Sequence, residues 1–123
     1  MIPADGRSAK EDRVREGQLV LVTGAAGFIG SHIVDALLAE GARIRALDNL
    51  SNGRRANLAH CADRIEFLEA DIRDPGACRE ACAGVSVVFH QAALGSVPRS
   101  MKDPATSIAV NVAGTANVFA AAR

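Results

Sequence analysis

The chain has 123 residues, 49% of them hydrophobic, and sets 14 Lys and Arg against 14 Asp and Glu, the composition of one globular domain with a core and no net field. Balanced charge without a basic run excludes a nucleic-acid stripe or a membrane-surface stripe, and no stretch reaches the ~18 apolar residues of a membrane span. Small-molecule binding is the expected class of function.

Residues 1–17 are polar and mixed in charge, without the apolar stretch of a secretory signal, so the chain is expected to be cytoplasmic, with an undocked polar arm ahead of one domain over 18–123. Leu19 to Val22 is a short apolar run between glycines, the pattern of a strand buried on both faces. From Phe28 the period lengthens. Ile29, Ile33 and Leu37 fall on one line with Val34 and Leu38 beside it, predicting a helix that buries five side chains and ends at Glu40-Gly41. Each such burial contributes about 1.5 to 3 kcal/mol, so packing rather than propensity is expected to hold this helix.

A second strand follows over Arg43 to Leu47, then a polar turn from Asp48 to Gly53 and a short segment, Arg54 to His60, with helical character. Ile65 to Leu68 and Val85 to Phe89 read as strands three and four. Between them Asp74-Pro75 opens a helix, an N-cap followed by proline at the first helical position. Asp103-Pro104 repeats that signal and opens a last helix carrying Ile108, Val112 and Phe119.

Alternating strands and helices predict an α/β fold, a doubly wound parallel sheet with strand order 3-2-1-4. Strands 1 and 4 are then neighbours whose helices leave to opposite faces, and a ligand should bind beyond their carboxyl ends, where Thr23-Gly24 and His90-Gln91-Ala92-Ala93 lie. Cys61, Cys78 and Cys82 match no zinc spacing and are expected to be free thiols, with no metal bound.

Between the first strand and helix stands Thr23-Gly24-Ala25-Ala26-Gly27-Phe28-Ile29-Gly30. Gly24 suits a sharp turn, Gly27 lets the backbone approach a pyrophosphate, and Gly30 lets the helix lie close to the strand. Free N–H groups at the helix start favour an anion there. A glycine turn without a ligand has the same spacing, but Asp48, 18 residues after Gly30, supplies a carboxylate for ribose hydroxyls. That carboxylate would repel a 2′-phosphate, so NAD is expected over NADP, with Arg54 and Arg55 as the residues that speak for NADP. Asp71 is either an acceptor for the adenine amino group or a plain turn acid. His90 ends a buried strand and is read as a satisfied core histidine, not a general base.

The ordered set T-G-A-A-G-F-I-G, D-N-L-S-N-G, D-I-R-D, H-Q-A-A-L-G-S-V-P-R-S and N-V-A-G-T resembles the extended short-chain dehydrogenases of the NAD-dependent epimerase/dehydratase type over about residues 18–123, nearest to the UDP-N-acetylglucosamine and UDP-glucose 4-epimerases. The resemblance implies a Rossmann domain in which Gly24, Gly27, Phe28, Ile29 and Gly30 contact the pyrophosphate of NAD. By the same resemblance Asp48, Asn49, Ser51, Asn52 and Gly53 surround the adenosine ribose, Asp71 and Ile72 flank adenine, and Gln91, Ala92 and Ala93 pass under the nicotinamide ribose. Gly95, Ser96, Val97 and Arg99 would form the near wall of a UDP-sugar pocket, with a plain surface charge the other reading of Arg99. Asn111 matches a family asparagine or only bonds within its helix.

In such enzymes hydride leaves carbon 4 of the sugar for the nicotinamide and returns to the other face, with a Tyr of a Tyr-x-x-x-Lys motif taking the hydroxyl proton. This chain has no Tyr. No catalytic residue is therefore expected within it, and the residues are read as a fragment that stops before the remaining strands and the substrate domain. A homodimer is a partner only of a full-length form. A non-catalytic NAD- or nucleotide-binding module, a remnant without function, and the cofactor half of a 4,6-dehydratase, decarboxylase or reductase are the competing readings.

Overall fold

A computed structural model describes residues 14–93 and 101–123. Residues 1–13 and 94–100, the latter with Gly95, Ser96, Val97 and Arg99, lie outside the described residues. Four strands form one sheet: β1 (Leu19–Thr23), β2 (Arg43–Asp48), β3 (Ile65–Glu69) and β4 (Val87–His90). Their order is β3-β2-β1-β4 and every pairing is parallel, with Val20 beside Ile44 and Val87, and Ile44 beside Ile65. The doubly wound order expected from the alternation of strand and helix is the observed one.

β1 is central, and its side chains alternate between two cores. Val20 and Val22 join Ile44, Ala46, Val34, Leu37, Leu58 and Cys61 on one face. Leu21 joins Leu47, Ile72, Cys78, Ala81, Val110 and Val118 on the other. The first face is covered by helix α1 (Phe28–Ala39) and a 3-10 segment (Arg55–Arg64). The second is covered by α2 (Pro75–Cys82) and the last helix, which comprises α3 (Pro104–Ile108), a π-helical turn (Ala109–Gly114) and α4 (Thr115–Ala121). β4 stands at the sheet edge, so its three apolar residues and His90 are only partly buried.

The helix signals act as the sequence implies. The Asp74 carboxylate accepts from the N–H groups of Gly76 and Ala77, and that of Asp103 from Thr106. Gly41, at φ +85°, ends the turn after α1. Its N-terminal neighbour is less detached than an undocked arm: the Gly17 N–H donates to the Gly41 carbonyl at 2.9 Å, and Val14 packs against the first core.

Two helical faces differ from expectation. On α1, Val34 and Leu37 are buried and Ile33 and Leu38 partly so, but Ile29 is 62% exposed. On a 3.6-residue period it falls to the side of the line of Gly30, Val34 and Leu37 that the sheet covers. On the last helix Ile108, Val112 and Phe119 face outward, while Ser107, Val110, Gly114 and Val118 face the core. The buried residues keep the +3, +4, +4 spacing of one helical face, so the apolar line of Ile108, Val112 and Phe119 is simply not the one the sheet covers. No helix among the described residues is long and apolar enough to cross a membrane.

Candidate functional site

At the carboxyl ends of the strands the structure opens a crevice. It is lined by Gly24 and Gly27 from the first turn, Asp48, Asn49, Ser51, Asn52 and Gly53 from the second, Asp71 and Ile72 from the third, and Gln91, Ala92 and Ala93 after β4. Those residues, picked from four separate segments, are brought to one cavity. Three other candidates are not on its wall. Gly30 is buried beneath the turn, and the side chains of Phe28 and Ile29 point to solvent, leaving only their backbone near the helix start. Leu47, Ala70 and Val110 also line the crevice. The first two sit next to named candidates and were within reach of the pattern, whereas Val110 arrives from the last helix and carried no signal.

The glycines have separate jobs. Gly24 sits at φ +66°, and a Cβ there would come within 2.8 Å of the Ala92 nitrogen, so β1 can turn against the chain leaving β4 only without a side chain. Gly27 is different: an added Cβ would meet only the Gly24 carbonyl oxygen, at 3.3 Å, and would otherwise stand in the crevice. It is also the N-cap of α1, whose first turn has neither a side-chain cap nor an acidic residue. The positive end of the helix is thus left for an external acceptor of negative charge.

Asp48 ties the second turn to the first. It is 7% exposed; Oδ2 accepts from the Ala26 N–H at 3.0 Å and Oδ1 from the Leu50 N–H at 2.7 Å. That bond holds Leu50 at φ +62°, a left-handed conformation that a leucine adopts only at some cost. The Ala26 carbonyl in turn accepts from the Arg54 N–H at 3.0 Å and from Asn57 Nδ2 at 2.7 Å. A carboxylate oxygen has two acceptor positions, so one on each remains for a ribose hydroxyl.

Arg73 grips Asp71 with Nε at 3.0 Å from both oxygens and Nη2 at 2.6 Å, while Asn49 Nδ2 donates to Oδ2 at 3.1 Å. The Arg73 bond is the main reason that the carboxyl is held down at about 2. With these donors in place, an adenine amino group can reach Asp71 only by displacing Asn49. Arg55, one of the two residues that spoke for a 2′-phosphate, is turned to β3: it pairs with Glu69 at 2.9 Å and lies 4.6 Å above the Phe67 ring. Arg54 is exposed.

Behind the crevice lies a hydrogen-bond chain whose directions can be worked out. The N–H groups of Gln91 and Ala92 donate to Thr23 Oγ1 at 3.0 and 3.1 Å, using both its lone pairs. The hydroxyl hydrogen is left for His90 Nδ1, 2.6 Å away. Nδ1 is therefore bare, and Nε2 carries the hydrogen and donates it to Thr115 Oγ1 at 2.9 Å. Both ring nitrogens are satisfied, as a core histidine requires, and burial pushes the ring below its ordinary value of 6.5. The unfolded chain then takes up this proton first, so the His90 contribution is present above about pH 6.5 and lost as pH falls through the lowered native value. Denaturant midpoints measured against pH are expected to fall on that limb, and His90→Gln should flatten it; an equally steep limb in the variant would assign the loss to other groups.

Residues 20–123 match the family model described as NAD dependent epimerase/dehydratase family. The chain is 50% identical to a UDP-glucose 4-epimerase of Mycolicibacterium smegmatis, over 84% of this chain and 34% of that protein. Among solved structures it is similar to the Thermus thermophilus UDP-glucose 4-epimerase in complex with NAD, at TM-score 0.77 and 42% identity over 85% of this chain and 33% of that one. It is also similar to a dTDP-glucose 4,6-dehydratase of Streptomyces venezuelae with NAD bound, at TM-score 0.80 and 38% identity over 85% and 35% of the two chains. The chain spans about a third of the length of the relatives it matches.

Proposed function

The chain belongs to the NAD dependent epimerase/dehydratase family, and from that premise we propose that it is the NAD-binding part of a nucleotide-sugar 4-epimerase. The observation that carries this reading is the bond between Asp48 Oδ2 and the Ala26 N–H, which joins a ribose acceptor to the glycine turn within one crevice. The backbone at Gly24, Gly27 and the start of α1 receives the pyrophosphate. Asp48 accepts from the adenosine ribose, with Asn49, Ser51, Asn52 and Gly53 around it. Asp71 and Ile72 flank adenine, and Gln91, Ala92 and Ala93 support the nicotinamide ribose.

Bound NAD supplies a hydride acceptor and donor for carbon 4 of the sugar. What these residues do is narrower: they orient the dinucleotide, and the Thr23–His90–Thr115 chain holds the backbone under the nicotinamide end. Gly95, Ser96, Val97 and Arg99 are proposed to meet the UDP-sugar. The segment division is proposed as an arm over 1–17 and the cofactor domain over 18–123, and the partners as NAD and, for a full-length form, a UDP-sugar and a second copy of the protein. The 123 residues contain no Tyr, so the phenolic base of the reaction is not among them. An epimerase is preferred over a dehydratase or decarboxylase on the segment H-Q-A-A-L-G-S-V-P-R-S.

Calorimetric titration of the folded chain with NAD and NADP tests the cofactor assignment. Saturable NAD binding is expected, with NADP weaker by about tenfold or more, since a 2′-phosphate would face the Asp48 carboxylate, a penalty of about 1.4 kcal/mol. Equal affinity for the two would overturn the role of Asp48, and a folded chain that binds neither would overturn the site.

A further inference from the structure

On the face of α1 turned from the crevice, Asp35 meets the 3-10 segment. His60 Nε2 and Asp35 Oδ1 are 2.6 Å apart, and both side chains are about half exposed. Beneath them is the Cys61 thiol, fully buried in the first core and bonded only loosely to the Leu58 carbonyl, at 3.4 Å. One ligand atom from each of Asp35, His60 and Cys61 lies within 4.8 Å of the other two. Sequence spacing hid this grouping, because the third donor comes from a different helix 25 residues away.

We propose that Asp35, His60 and Cys61 form a binding site for a thiophilic divalent cation, with zinc the ion that suits the donor set. A sulfur, an imidazole nitrogen and a carboxylate oxygen are the three zinc ligand types, whereas calcium and magnesium take oxygen ligands. Tetrahedral ligands at the usual zinc bond lengths stand about 3.3 to 3.7 Å apart. Asp35 and His60 reach that spacing by parting slightly and tilting toward the sulfur, which their exposure allows. The cation displaces the thiol proton to water, and the Asp35 carboxylate with the new thiolate balances its two charges. Three protein ligands leave a fourth position for water. The site would pin α1 to the 3-10 segment, which follows the turn from Asp48 to Gly53, without using any residue of the crevice.

The test is titration of the chelator-treated full chain with Co²⁺, followed by competition with Zn²⁺. A thiolate-to-cobalt charge-transfer band with tetrahedral d–d bands is expected, displaced by zinc. Cys61→Ser should remove the charge-transfer band, while Cys78→Ser and Cys82→Ser should keep it. Since Cys61 is a core residue, the exposed variants His60→Gln and Asp35→Asn are the second arm; each should weaken Co²⁺ binding by about tenfold or more with the circular dichroism unchanged. Co²⁺ spectra without a thiolate band, a band that survives Cys61→Ser, or affinities unmoved by both surface variants would overturn the proposal, leaving a surface ion pair above a core thiol.

Discussion

Gly30→Ala is expected to abolish measurable NAD binding, a loss of roughly 100-fold or more, or about 2.8 kcal/mol. The Cβ it adds falls on the Gly24 carbonyl, with the Gly24 carbonyl carbon 2.8 Å away and the Ala25 Cα at 3.0 Å. All of these are backbone atoms, so no side-chain rotation relieves the overlap. α1 must lift from the end of β1, and with it goes the spacing between the glycine turn and the helix start. Overpacking of this kind costs about 1 to 3 kcal/mol of stability. Gly27→Ala separates the two effects. Its Cβ meets only the Gly24 oxygen at 3.3 Å, so stability should change little while affinity still falls, because the methyl group occupies the crevice. Calorimetry for binding and denaturant unfolding for stability check both variants; a Gly30→Ala chain that binds NAD like the parent would remove the pyrophosphate site from this turn.

The second large effect is expected at Asp48. Asp48→Ala leaves the N–H groups of Ala26 and Leu50 without their acceptor in a nearly buried position, and each orphaned donor costs about 1 to 3 kcal/mol. Leu50 also loses the bond that holds its left-handed conformation, so the turn from Asp48 to Gly53 should relax away from the glycine turn. NAD affinity is expected to drop by roughly 100-fold, with NADP affected far less because the repelling charge is gone. The ratio of the two dissociation constants is the deciding quantity. If it does not move, Asp48 does not face the ribose, and its function is confined to joining the two turns.

Much of this architecture was legible because its signals are local. The glycine spacing, the apolar run of β1, and the proline after Asp74 and after Asp103 each act within a few residues, where backbone sterics and capping decide the outcome. Gly24, Asp48, Asp71 and Gln91 to Ala93 on the crevice wall were legible because strand ends in a parallel sheet converge on one edge, whereas Asn49, Ser51, Asn52, Gly53 and Ile72 were reached through the family resemblance. The exposed side chains of Phe28 and Ile29 were not legible, because the small residues Gly30 and Ser31, which hydropathy does not mark, fix the face of the first turn that meets the sheet.

The order of the sheet, the positions of its turns and the place of the crevice were determined by the sequence alone, through alternating strand and helix periods and the residues that break them. Tertiary structure decided what depends on segments far apart in the chain. It turned Arg55 to Glu69 and Phe67, closed Arg73 and Asn49 on Asp71, and set the tautomer of His90 through Thr23 and Thr115. It also brought Asp35 over Cys61, and chose which line of the last helix is buried. Hydrogen-bond direction and metal-ligand geometry act over a few ångströms in space, whatever the separation in sequence, so only the packed chain can specify them.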